Sequence, residues 1–127
     1  MKVEVPIFQG GEAAGAYRQA LSQARQSALK LKEAQRKAVQ EVQDAHGKFR
    51  RSLRRTEKLA DALGAADEGA QLSLQEYRSN LVSNLEVLTS LETLEEARRD
   101  LIHAHYETKR LYWNFKAAAG DIPEDSG

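Results

Sequence analysis

From Ala14 to Tyr77 the chain carries one seam of uncharged residues at alternating spacings of three and four, and the phase never breaks. It reads Ala14, Tyr17, Leu21, Ala24, Ala28, Leu31, Gln35, Ala38, Val42, Ala45, Phe49, Ser52, Thr56, Leu59, Leu63, Ala66, Ala70, Ser73 and Tyr77. A heptad rhythm sustained this long predicts a single helix packed side by side with others. Over residues 12–79 such a helix is roughly 100 Å long, at 1.5 Å rise per residue. Many seam positions are Ala or Ser, which favours close approach of helix axes over a thick leucine core. Gly64 and Gly69, flanking Ala-Ala-Asp-Glu, offer a rival turn, and each costs about 1 kcal/mol relative to alanine inside a helix. The seam passes through them in phase, so the prediction is continuity.

The chain gives clear instructions to reverse only at Tyr77 to Leu88. Asn80 suits the left-handed residue that ends a helix. Ser83 and Glu86 have the spacing of a capping box, and Val82 with Val87 fits a hydrophobic staple. These signals predict a turn at 80–83 and a second helix at 84–119. A connection this short makes the two helices antiparallel neighbours. The second helix has its own seam: Val87, Leu94, Ala97, Leu101, Ala104, Thr108, Leu111, Phe115 and Ala118, with Leu91, Ile102 and Tyr112 widening the stripe. Gly120 is a natural stop, and 120–127 reads as a tail.

The predicted arms are unequal. Folding back from the turn brings Leu101 level with Leu63 and Phe115 level with Phe49, so the second helix runs out near Ala45. The seam above that point, represented by Ala14, Tyr17, Leu21, Ala24, Ala28, Leu31, Ala38 and Val42, then has no intrachain partner. A helix does not ordinarily present such a seam to water. Another copy of the chain, or another part of a larger protein, is expected to cover it. The fold class is therefore all-α: a long antiparallel coiled-coil helical hairpin with unequal arms. Residues 1–11 are expected to add a short strand remnant and a Gly-Gly linker, because residues 2–8 alternate apolar and charged before Pro6. A disordered leader is the alternative for that segment.

Composition narrows the function. The chain is 41% hydrophobic, 6% aromatic and 30% charged, a balance typical of long helices. Its net charge is zero and it has no cysteine, which excludes thiol chemistry and gives no global argument for nucleic acid. No apolar run reaches the length of a membrane helix or a signal peptide, so an exported parent would carry its address elsewhere. His103 and His105 point about 200° apart on a helix. His46 would sit about 18 Å along the axis from His105, so no histidine pair meets and no metal site is expected. Lys48, Arg50, Arg51, Arg54, Arg55 and Lys58 form a basic run. A solvated face paired with acids of neighbouring helices accounts for it better than nucleic acid does, since the only aromatic there, Phe49, lies on the seam. Tyr106, Tyr112, Trp113 and Phe115 form either an aromatic girdle or a packed bundle end. No phosphate loop and no nucleophile with a base at hand is present, so neither enzyme activity nor a cofactor is expected.

Pro-Ile-Phe-Gln-Gly-Gly at 6–11, the long alanine-rich helix, the turn followed by Glu86, Val87 and Leu88, and the end at 117–120 together resemble the C-terminal part of a TolC-like outer membrane efflux protein. Asn80 stands where that family usually has glycine, a mild departure given its left-handed role. The resemblance implies two such repeats per protomer and three protomers forming a tube, with strands as an outer membrane barrel and helices as a periplasmic duct. It implies that residues 2–8 end the last barrel strand, that membrane contact comes only through the missing barrel, and that the chain is an excised or truncated piece. The turn would be a periplasmic tip, where Asn80, Leu81, Val82, Ser83, Asn84 and Leu85 dock a periplasmic adaptor. The rival reading is a soluble coiled-coil interaction protein that binds nucleic acid through its basic run.

Overall fold

The computed structural model of the protein describes residues 7–120, with side chains from residue 11 onward. Two helices account for nearly all of this: α1, Ile7–Arg78, of 72 residues, and α2, Asn84–Ala118, of 35. Among the described residues there is no strand, and no helix is long and apolar enough to cross a membrane. The expected strand lies partly outside the described residues. Its last members, Ile7 and Phe8, and the Gly-Gly linker at Gly10 and Gly11 are helical instead. An isolated strand has no ladder to satisfy its amides, whereas extending an established helix adds one hydrogen bond per residue fixed. Propagation outweighs the glycine penalty here.

The chain divides into two compact units, Met1–Gln40 and Glu41–Gly127. In the first, every residue from 11 to 40 is exposed, seam positions included; Tyr17 is 69% and Leu31 61% accessible.

The second unit is the hairpin. From Val42 to Ser73 every α1 seam residue is buried or half-buried, and at Tyr77 the seam opens to solvent. On α2, Val87, Leu94, Ala104 and Thr108 are buried, and Ala97, Leu101, Leu111 and Phe115 are half-buried. The register is the one the turn predicts: Phe49 stacks on Phe115 with ring centroids 6.3 Å apart and planes 4° from parallel. Gly64 and Gly69 lie within α1 without interrupting it. The stripe is narrower than the sequence suggests, because Leu91, Ile102 and Tyr112 are exposed. Two helices bury one seam, and positions one residue off it need a third helix to cover them.

The contact is thin, with no large side chain fully enclosed. At its centre sits a hydroxyl cluster. Ser52 Oγ and Thr108 Oγ1 lie 2.6 Å apart, and Thr56 Oγ1 is 3.0 Å from both Thr108 Oγ1 and the Ser52 carbonyl oxygen. Thr108 also donates to the Ala104 carbonyl at 2.8 Å. With that proton committed, Thr108 accepts from Ser52, and the Thr56 proton is shared between two acceptors. Each buried hydroxyl is satisfied, and only in this register.

Thr108→Val keeps shape but strands the buried Ser52 hydroxyl, and is expected to cost about 1–3 kcal/mol. Adding Ser52→Ala removes the orphan and should recover most of the loss. Urea unfolding of the single and double variants at one protein concentration measures both.

Candidate docking tip and helical interfaces

The reversal is built from two complementary caps. At the end of α1, Asn80 adopts φ +58°, the left-handed region. The Leu81 amide donates to the Glu76 carbonyl at 2.8 Å and the Asn80 amide to Tyr77 at 3.0 Å. This is the paired closure of a Schellman motif with Asn in the position glycine usually takes. Ser83, extended at φ −80° and ψ 161°, caps α2 by accepting from the Glu86 amide at 3.3 Å. Among the described residues the return bond from the Glu86 carboxylate to the Ser83 amide is not formed, so half of the expected capping box is present. Glu86 still lies in the first turn, where the helix dipole favours an acid.

Between these two caps the apolar side chains of the turn divide into two groups. Val87 is buried and Val82 half-buried, as a staple requires. Leu81 is 75% and Leu85 72% accessible, and Leu88 and Tyr77 are exposed beside them. Leu81 occupies the position after the left-handed residue that often packs back on the helix it ends, but the residue it would meet is Glu76. Asn80, Ser83, Asn84 and Glu86 are also exposed, so the turn presents a polar rim around uncovered leucines.

The other predicted features fall on the flanks. Lys48, Arg50, Arg51, Arg54, Arg55 and Lys58 are all exposed, and among the described residues none is in ion-pair contact with an acid. Phe49 packs against Tyr112 and Phe115, which takes it out of reach of any base-stacking role. His46 rests on the Phe115 ring at 5.2 Å, whereas His103 and His105 are exposed on α2. The aromatics thus split: Phe49, Tyr112 and Phe115 close the end of the hairpin seam, Trp113 meets Tyr112 edge-on, and Tyr106 points into solvent. An open groove of about 520 Å³ runs along one side, lined by Glu41, Asp44, Lys48, Arg51, Glu107 and Arg110 among others. Sequence reasoning did not find it; the signal is the alternation of acids and bases beside both seams at the same level.

Within this groove Arg110 holds Glu107 in a fork, Nη2 to Oε1 at 2.6 Å and Nε to Oε2 at 3.0 Å. The bond to Arg110 lowers the Glu107 carboxyl from its ordinary value. Partial desolvation opposes this, and the charges of Arg110 and Arg55 add to the lowering.

These features define a class: a long helical coiled-coil element with a capped, apolar-tipped turn and large uncovered helix faces. Comparison with known proteins gives the family. The family described as outer membrane efflux protein matches residues 1–121, and the chain belongs to it. The family forms passive transport ducts. The chain is also similar to the proteases secretion protein PrtF of Dickeya chrysanthemi, with 24% identity over 124 residues, covering 98% of this chain and 27% of that protein. It therefore spans about a quarter of the length of this curated relative. No solved structure matches the chain.

Two outcomes follow from the geometry. Asn80→Gly should leave stability within a few tenths of a kcal/mol, whereas Asn80→Val should cost about 1–2 kcal/mol for forcing a β-branched residue left-handed; thermal unfolding compares them. Because the folded pKa of Glu107 is depressed, its contribution to stability is present above the unfolded value and is lost as pH falls through the folded one. In an NMR titration Arg110→Met should move the Glu107 midpoint upward, toward the ordinary carboxylate value.

Proposed function

We propose that this chain is a wall segment of an efflux duct, its helices running through the periplasm of an outer membrane export system, and that its turn docks a periplasmic adaptor. The observation that carries the docking reading is the exposure of Leu81 and Leu85 on a turn closed by a Schellman motif on one side and the Ser83 cap on the other. The docking surface comprises Asn80, Leu81, Val82, Ser83, Asn84 and Leu85. Family membership supports the duct, and the uncovered seam from Ala14 through Ala38 supports assembly with further helices, in a trimer of the parent protein; Val42, expected to belong to that seam, is half-buried in the hairpin unit instead. Barrel strands elsewhere in the parent would hold it in the outer membrane. The relative named for protease secretion supports exported protein as the cargo class.

The test uses the full-length parent with Leu81→Asp and Leu85→Asp. Trimer assembly should persist while site-specific crosslinking between tip and adaptor falls at least about tenfold, together with export. Intact trimers that crosslink and export normally would reduce the leucines to turn closure.

A further inference from the structure

Residues 11–40 carry an exposed apolar seam whose two edges differ. Along it Tyr17, Leu21 and Leu31 are 69%, 40% and 61% accessible. In the heptad that puts Ala14 and Leu21 at one seam position and Tyr17 and Leu31 at the other, one edge holds Ala13, Ala20, Ser27 and Ala34. That edge is small and uncharged. The opposite edge holds Arg18, Arg25 and Lys32, one cation per heptad. No acid of the same helix can reach them. Side chains meet along a helix at separations of three and four residues, and there each of the three finds only uncharged neighbours, apart from Arg36 beside Lys32. The two acids of this stretch, Glu12 and Glu33, fall on the back of the helix, opposite the seam. Among the described residues Arg18, Arg25 and Lys32 form no ion pair, and all three are exposed.

Charges at such an edge select the helix that packs on the seam, because the edge residues of one helix meet those of the other. A second copy of this stretch supplies no acid in either direction. In parallel its small edge would lie against the cationic one and leave the cations unanswered; antiparallel, cationic edge would meet cationic edge, which is repulsive. The seam therefore calls for a different helix. We propose that its occupant is a helix of the parent protein outside this chain, with an Ala- and Leu-type seam and acids repeated every seven residues on the edge that faces Arg18, Arg25 and Lys32. The chain spans 27% of the length of its curated relative, and a parent of comparable length has other segments to supply that helix. On the far edge Ala20, Ser27 and Ala34 add no bulk, so the incoming axis can come close. The source of the helix rests on the duct reading, whereas its chemistry rests on the edge charges alone. Parallel copies are compatible with it, since each seam then meets a different helix and not its own twin.

The probe is a synthetic helix of about four heptads with Ala and Leu on its seam and Glu at both edges, and its control carries Lys at the edges instead. Binding of each to the whole chain is read by fluorescence anisotropy. At about 50 mM salt the acidic probe should bind at least about tenfold more tightly than the basic one, and the difference should shrink at about 1 M salt. Arg18→Glu with Arg25→Glu and Lys32→Glu should reverse the preference, and the corresponding Gln triple should abolish it. All three positions are exposed, so helix content by circular dichroism should hold in both variants. Leu21→Asp should abolish binding of either probe by charging the seam. Equal binding of the two probes, or a preference that survives the triple reversal, would overturn the proposal. The chain has no native cysteine, so spin labels can be placed at Ser27→Cys alone. Close label pairs in the chain by itself would name a second copy as the occupant and overturn it equally. No readout here involves Leu81, Leu85 or export, so loss of the edge preference and loss of tip docking are separate results.

Discussion

The hydroxyl cluster of Ser52, Thr56 and Thr108 decides how the two helices of the hairpin meet, and the rest of the unit depends on that alignment. Around it the seam is made largely of small residues, with Ala66, Ala70 and Ala104 among them. Sliding one helix along the other would exchange one shallow apolar contact for another at little cost. The hydroxyls cannot slide. A shift of one heptad would set Ser52 against Leu101 or Phe115, neither of which can hydrogen-bond to a buried hydroxyl. A polar group inside an apolar seam is a recognised way of fixing register. The stacked Phe49 and Phe115 reinforce the same alignment from the open end.

Register in turn fixes the reversal. Once Thr56 is level with Thr108, the chain between the helices has only a few residues in which to turn, and Asn80 takes the one left-handed conformation among the non-glycine residues described. That is why the turn was legible. Helix ends are specified by local chemistry, a left-handed residue before a hydroxyl cap, and both residue types sit at the required spacing. The seam was legible for the same kind of reason, since period is a property of the chain alone. What escaped depends on neighbours. The return bond of Glu86 requires a rotamer that competes with solvation on an exposed turn. Leu91, Ile102 and Tyr112 fit the period of a wide stripe, but whether they are buried depends on how many helices surround α2. The hydroxyl cluster was in view as three uncharged seam residues; only the register shows that they meet. Ile7 and Phe8 read as the end of a strand because the residues before Pro6 alternate apolar and charged, and Gly10 and Gly11 read as a linker because glycine loosens the backbone; no partner strand is present among the described residues to realise the strand. At the tip, exposure of Leu81 and Leu85 could be argued beforehand because nothing follows them at that end of the hairpin, while the reason Leu81 finds no cover is the charge on Glu76.

The same thinness bears on the faces that the hairpin leaves open. Ala70 is the most enclosed side chain of the hairpin, and a methyl group contributes only about 1 kcal/mol on burial. A seam of such residues sustains two helices of this length only if other faces are also covered. On α2 those faces are marked. Leu88, Leu91, Ile102 and Tyr112 stand one residue round from the buried seam, about 100° away at 3.6 residues per turn, and all are exposed. A helix with two apolar stripes on different sides is suited to a curved wall, where each helix touches one neighbour on either flank. A free hairpin needs one stripe only. The second stripe is a face that the hairpin leaves open and that a further helix would cover.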